Sequence, residues 1–465
     1  MIAVARKVED YAEPPLPMFV LFLAYVFVIY LQVGWRIPAL GAIRIELVLG
    51  AILGPIAVAR FSGATIKGGG TVLGWTIALL IAMGIMVPLS QFPGESWNVF
   101  LDRGLKFAAY GLCIAAFVTS PRSLRWFIAI WLLCFLKMGQ EGFWGTLDGS
   151  MIWQEQEIPR LRGPTPSYNH PNSFSGTQLG TLPFIYYIFP LMPWWLRGVL
   201  LVQTVFCGNV ILRTGSRTGY LGLIMGILTV IYQARSRVKA LLVVAAIAAL
   251  ALPLVPKDYS DRFTSIFTDH SEVGQDTSVG QRKEILVDAM KIFEEHPFGI
   301  GVGAFPLERA KEFGRTQDTH NLYLEVATNL GVQGFIVFIV FVMVLAVTQR
   351  RLQKRLIEQV AALEAGPQDR EGMSEHLADV RFMLACARAS LVFLMIRMAL
   401  GGFGMDMYEI YWWFLSGLTI ALLRMEVAAE VKTDRLLGRA PRTKGRARFG
   451  NALGAVARAN GGNPA

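Results

Sequence analysis

The chain has 465 residues, 54% of them hydrophobic and only 17% charged, with a formal net charge of +10. Soluble proteins carry roughly 25% charged residues, and long apolar runs recur here from about residue 17 to about residue 424, which excludes a string of soluble domains. The positive charge does not indicate a nucleic-acid partner, because the basic residues lie in short loops between apolar runs and in the C-terminal tail.

A membrane-spanning helix needs roughly 20 apolar residues. Stretches of that kind fall near 17–34, 40–60, 71–89, 99–119, 123–138, 173–190, 195–213, 216–233, 238–255, 319–347, 381–402 and 407–424. They predict an all-α polytopic integral membrane protein with about twelve transmembrane helices, a membrane domain over 1–424. Arg6 and Lys7 precede the first stretch and no small-residue cleavage site follows it, so it is expected to be a retained span. An even number of spans puts both termini on one side. That side collects Arg60, Lys67, Arg122, Arg125, Arg197, Arg235, Arg237, Lys239 and the basic run 349–355, so it is expected to be cytoplasmic. The charged segment 349–380 reads as a cytoplasmic linker and 425–465 as a basic, disordered cytoplasmic tail. Cys113, Cys134, Cys207 and Cys386 all fall in apolar stretches and read as buried hydrophobes, with neither a disulfide framework nor a metal site.

Two segments on the opposite face, about 139–172 and 256–318, are too long to be connectors alone. The second reads as a helical periplasmic loop subdomain. Thr277 or Ser278 can cap a helix there, Leu286, Ala289, Met290 and Phe293 supply an apolar face, and His296-Pro297 ends it. Gly299-Ile300-Gly301-Val302-Gly303 follows no strand, so a turning segment is expected and not a nucleotide loop.

The chemistry-bearing residues gather on this face. Ser216 and Arg217 open the eighth stretch, and a guanidinium fork suits phosphate oxygens. Arg282, with Lys283 beside it, is expected in the first turn of the loop helix, where backbone N–H groups favour an anion. Thr319 is expected to cap the tenth stretch, placing His320 in its first turn, next to Asn321, as a neutral imidazole fit to act as a base. His170, in a Pro/Asn-rich loop, is assigned a structural or substrate-contact role. Arg44, Glu46, Arg103, Lys106, Lys137, Arg397, Asp406 and Glu409 map to the same half of the membrane and suggest a polar cavity, with ion pairs such as Arg44–Glu46 or Arg397–Asp406 as the plainer reading. Two fixed cations and one titratable base on one face point to an anionic, lipid-linked substrate.

Ser216-Arg217-Thr218-Gly219, Gly280-Gln281-Arg282, His296-Pro297-Phe298-Gly299-Ile300-Gly301, Thr319-His320-Asn321 and Gly331-Val332-Gln333-Gly334, in that order, resemble the O-antigen ligase and polymerase family. The resemblance is strongest over about 205–348. It implies a bacterial inner-membrane, metal-independent glycosyltransferase with no cofactor. The implied donor is a glycan on undecaprenyl diphosphate, and the implied acceptor is lipid A–core, a growing polysaccharide or a protein. By the same resemblance Arg217 and Arg282 are the diphosphate contacts, His320 the base, and 256–318 a periplasmic cover. Lys283 leaves open which cation touches phosphate. A lipid-linked glycan transporter is the competing class, weakened by the lack of a repeat between halves.

Overall fold

The computed structural model describes residues 11–62, 69–154, 158–251, 257, 277–367, 370–404 and 407–439. The chain begins with α1 (Leu16–Leu31), short α2 (Val33–Arg36) and α3 (Pro38–Ala42), then α4 (Ile45–Ser62) and α5 (Gly70–Ile85). α6 (Pro93–Val99) runs through a π-helical turn, Phe100–Leu105, into α7 (Lys106–Phe117), followed by α8 (Pro121–Leu147). Between α8 and the next helix lie β1 (Ile152–Trp153) and β2 (Arg160–Leu161), antiparallel with Trp153 opposite Arg160. Then come α9 (Pro171–Ile188), α10 (Trp194–Arg213), α11 (Arg217–Gln233), α12 (Arg237–Ala251), α13 (Thr277–Glu295), α14 (Phe305–Phe313), α15 (Leu322–Glu364), α16 (Met373–Gly401) and α17 (Tyr411–Leu436).

Among the described residues each stretch expected to span the membrane contains a helix, and the fold is consistent with an all-α membrane protein. Among the described residues, α10, α15 and α16 are long and apolar enough by length and composition to cross a bilayer unaided, while α1 and α5 are shorter apolar helices. Some of the others are interrupted. Pro55 lies inside α4 and Pro183 inside α9, and the π turn breaks the path from α6 to α7. Exposed tryptophans mark both ends of the bundle, Trp35, Trp97 and Trp144 at one and Trp126, Trp194 and Trp195 at the other, as interfacial belts do.

The interior is apolar and aromatic. Trp131 of α8 stacks on Phe414 of α17 at 4.9 Å between ring centres. The four cysteines are free and buried, as the sequence implies. α9 is largely buried, and two of its polar side chains are satisfied internally. The Gln178 amide donates to the Phe135 carbonyl at 3.0 Å, and the Thr181 hydroxyl to the Gln178 carbonyl at 2.7 Å.

Three expectations change here. The linker expected over 349–380 is largely helix, since α15 continues to Glu364 and α16 begins at Met373. The tail expected to be disordered from 425 is helix to Leu436 because α17 packs on that hairpin: Arg355 pairs with buried Glu426 at 3.0 Å, and His376 bonds Thr433 at 2.9 Å. Residues 440–465 lie outside the described residues. The apolar face of α13 is also different. Ile285, Ala289 and Ile292 are buried, while Leu286 and Met290 are exposed. The ion pair between Asp288 and fully buried Arg309 of α14, at 2.9 Å, belongs to the buried face and fixes it.

Candidate functional site

Three helix N-termini meet around the last turns of α16. α11 starts at Ser216, whose Oγ accepts from the Gly219 N–H at 3.0 Å. α9 starts at His170, whose Nδ1 accepts from the Asn172 N–H at 3.2 Å and whose ring packs edge-on against Trp153. α15 starts at Asn321, whose Oδ1 accepts from the N–H groups of Tyr323 at 3.0 Å and Leu324 at 3.2 Å.

The contacts that gather them are close. The Ser216 Oγ also donates to Asn172 Oδ1 at 2.8 Å, joining α11 to α9. Gly222 of α11 sits where a Cβ would lie 2.7 Å from Leu179 of α9 and 2.8 Å from Leu400 of α16, so only glycine lets the three backbones approach. Buried Arg397 of α16 donates to the Gly176 carbonyl of α9 at 2.7 Å, with its guanidinium 3.4 Å from the Tyr411 ring centre. On the other side of α16, Asn321 Nδ2 donates to the Gly402 carbonyl at 3.1 Å and the Tyr323 hydroxyl to the Met398 carbonyl at 2.8 Å. The positive ends of α9, α11 and α15 therefore point to one end of the bundle, with Arg217 at the first position of α11.

His320 is half-buried and sits just before the Asn321 cap with φ of 48°. That left-handed backbone is uncommon for a side-chain-bearing residue and costs about 1–3 kcal/mol, a strain that clusters at functional sites. The expected cap was Thr319, with His320 in the first turn. Instead Thr319 donates its hydroxyl to the Asn321 carbonyl at 3.1 Å, and the longer Asn321 side chain reaches the helix N–H groups. His320 thus stands outside the helix. Two residues earlier, burial pushes the Asp318 carboxyl above its ordinary value, opposed by its bond from the Thr319 N–H and by Arg103.

Arg282 is the sixth residue of α13 and not in its first turn, so the dipole argument for it lapses; its side chain lies outside the described residues. Lys283 is exposed on α13. The structure thus brings together the segments of His170, Ser216, Arg217, His320 and Asn321. It does not bring Lys283 to them by any described contact.

Sequence reasoning missed Arg160. This buried residue of β2 donates Nε to the Thr214 carbonyl at 2.7 Å and Nη2 to Asn172 Oδ1 at 2.8 Å, and so holds the turn before Arg217. Its only sequence signal is the alternation Arg160-Leu161-Arg162 in a long loop. The intramembrane charges also pair differently from expectation. Glu46 meets Lys106 at 3.6 Å and Glu409 meets Arg103 at 2.9 Å, and Asp406 lies outside the described residues. These pairs line a cavity of about 520 Å³ with Arg44, Asp102 and Tyr168. A second cavity, of about 740 Å³, lies across the 162–169 segment, between Trp35, Lys137, Glu141, Trp144 and Arg162.

The subdomain is fixed above α15. α15 breaks at Gly331, with φ of 71° and ψ of −176°, and the Pro297–Gly303 segment packs into the break. The Ile300 N–H donates to the Thr328 carbonyl, the Gly301 N–H to the Asn329 carbonyl, and the Val332 N–H to the Pro297 carbonyl, at 2.9–3.0 Å. The glycine-rich run is the turning segment that its sequence implies.

No curated protein matches the chain. Residues 203–339 match the family profile described as O-antigen ligase. That match contains the α10–α11 turn, α13, α14 and the N-terminal part of α15, and with them every candidate residue except His170. The part of the chain that builds most of this site is thus similar to the O-antigen ligase family, a likeness that implies activity of the ligase or polymerase kind.

Proposed function

We propose that the protein is an inner-membrane glycosyltransferase of the O-antigen ligase type. It moves a glycan from undecaprenyl diphosphate to an acceptor hydroxyl on the periplasmic face, with about twelve spans and both termini in the cytoplasm. The observation that carries this reading is the meeting of three helix N-termini beside Arg217, a place built for a dense negative charge.

The reaction follows from those parts. The acceptor oxygen attacks the anomeric carbon as its proton passes to an imidazole nitrogen of His320. The bond from that carbon to the diphosphate oxygen breaks, with inversion, and the electron pair leaves on diphosphate. Arg217 and the helix N–H groups stabilise the growing charge without reorganising. Fixed donors thus do the work that a divalent cation does in other transferases, and the transfer is metal-independent. Arg282 on α13 is a second diphosphate contact, and 256–318 covers the site. The cavity carrying Trp35 and Trp144, with Lys137, Glu141 and Arg162 around them, suits a saccharide acceptor and shares the 160–172 segment with the Arg160–Asn172–Ser216 network.

The test uses purified protein in detergent with a glycan on undecaprenyl diphosphate and lipid A–core. Release of lipid diphosphate with glycan attached to the core is expected. A transporter would release none without a second compartment, and that outcome defeats the proposal. Transfer only onto another lipid-linked glycan, or onto protein, assigns polymerase or protein transferase instead.

A further inference from the structure

The junction of α13 and α14 holds a side-chain cluster that glycosyl transfer does not use. Glu295 and His296 end α13, and Glu308 and Glu312 are four apart, on one face of α14. Ligand atoms of Glu295, His296 and Glu312 all lie within 4.8 Å of one another. His296 Nε2 is 4.0 Å from Glu308 Oε1 and 4.0 Å from Glu312 Oε1. Glu308 is fully buried; its Oε1 takes the Lys311 ammonium at 2.7 Å, and its Oε2 is buried with no hydrogen-bond partner.

Three carboxylates and an imidazole with one lysine between them are short of positive charge. A buried carboxylate oxygen without a donor costs about 1–3 kcal/mol or more, so something should meet Glu308 Oε2.

We propose that Glu295, His296, Glu308 and Glu312 form a structural site for a divalent cation of the zinc class, which ties the end of α13 to α14. The geometry is near what zinc needs. Ligand atoms about 2.1 Å from a tetrahedral zinc stand roughly 3.5 Å apart, so the 4.0 Å separations close by small rotations of the partly exposed His296 and Glu312 side chains toward buried Glu308. The imidazole favours zinc over magnesium and calcium, which take oxygen ligands. The consequence is mechanical. His296 leads directly into the Pro297–Gly303 segment that packs into the α15 break, so the cation would fix the subdomain against the helix that begins beside His320. The ion sits on α13 and α14, not at the N-termini of α9, α11 and α15, and takes no part in bond making.

The test needs no substrate. Full-length protein in detergent is stripped with a chelator and titrated with Zn²⁺ by calorimetry, alongside His296→Asn and Glu312→Gln. One saturable equivalent is expected in the wild type, with affinity falling about 10-fold or more in each variant. Zn²⁺ should also raise the wild-type melting temperature by more than that of either variant at the same concentration, and Ca²⁺ and Mg²⁺ should bind more weakly. Should His296→Asn fail to fold, Glu312→Gln, on the more open side of the cluster, decides alone. Absent saturation, or equal affinity in wild type and variants, overturns the site. So does a Glu312→Gln protein that is more stable than metal-free wild type while the wild type takes up no zinc, since Glu308 and Glu312 would then merely share a proton.

Discussion

The roles proposed for Arg217 and His320 rest on position more than on identity. Arg217 is held by the turn that Arg160 and Asn172 grip, and His320 by a left-handed backbone that the Asn321 cap follows. In the proposed reaction Arg217 adds to an anion site built from backbone N–H groups, and His320 takes the acceptor proton. Removing Arg217 as Ala should cost about 3–4 kcal/mol of transition-state stabilisation, of order 100- to 1000-fold in rate. Arg160→Met should lower transfer through loss of positioning and leave the protein in the membrane, measured as activity per inserted molecule. Asp318 gives a pH signature. Its carboxyl is raised in the fold above its unfolded value, so protonation favours the folded state. Stability should therefore be greatest below the ordinary carboxylate range and fall as pH rises through the raised value. The difference in melting temperature between wild type and Asp318→Asn should shrink at low pH and favour the variant at neutral pH; a pH-independent difference would count against the burial argument.

At the scale of elements, glycines decide the approach of helices. Gly222→Leu would drive a side chain into Leu179 and Leu400, parting α11 from α9 and α16. Overpacking of this kind costs typically 1–3 kcal/mol, and the three N-termini would no longer meet, so transfer should be lost before folding is. Gly331→Ala asks a Cβ to sit 2.3 Å from the Phe298 backbone at φ of 71°, and should loosen the subdomain, visible as faster proteolysis within 277–313. Helix existence was legible from apolar run length, and so was the glycine turn. The facing of α13 was not. Ile285/Ala289/Ile292 and Leu286/Met290/Phe293 both recur at helical spacing, and the choice rests on Arg309, far along the chain. The Asn321 cap was missed for a local reason: Thr319 and Asn321 are both good caps, and reach decided between them.

Across the whole molecule, the chain order of the site segments conceals their neighbourhood. His170, Arg217 and His320 lie at the N-terminal ends of three helices separated by long stretches of sequence, and these ends are joined by α16 and the residue after it, where Arg397, Leu400, Gly401 and Gly402 touch α9, α11 and α15 in turn. Arg397 is visible in the sequence as an intramembrane charge, yet its partner is a backbone carbonyl and a tyrosine face, which no charge pattern predicts. Arg397→Leu should therefore uncouple α9 from α16 and lower both the melting temperature and transfer. The proposed orientation, with the site facing away from the cytoplasm, is tested separately. Cysteines placed at Ser150 and Arg315 should react with an impermeant thiol reagent in intact cells, and one at Arg370 should not; the reverse pattern would turn the site toward the cytoplasm.

The central claim is that Arg217 and His320 act on opposite sides of one broken bond. The most direct measurement is single-turnover transfer from a fixed amount of undecaprenyl-diphosphate-linked glycan, with donor binding read separately, for wild type, Arg217→Ala and His320→Ala. Arg217→Ala should lose donor affinity and rate together, whereas His320→Ala should bind donor as wild type does and transfer at least about 100-fold more slowly. Transfer at the wild-type rate by either variant would contradict the account.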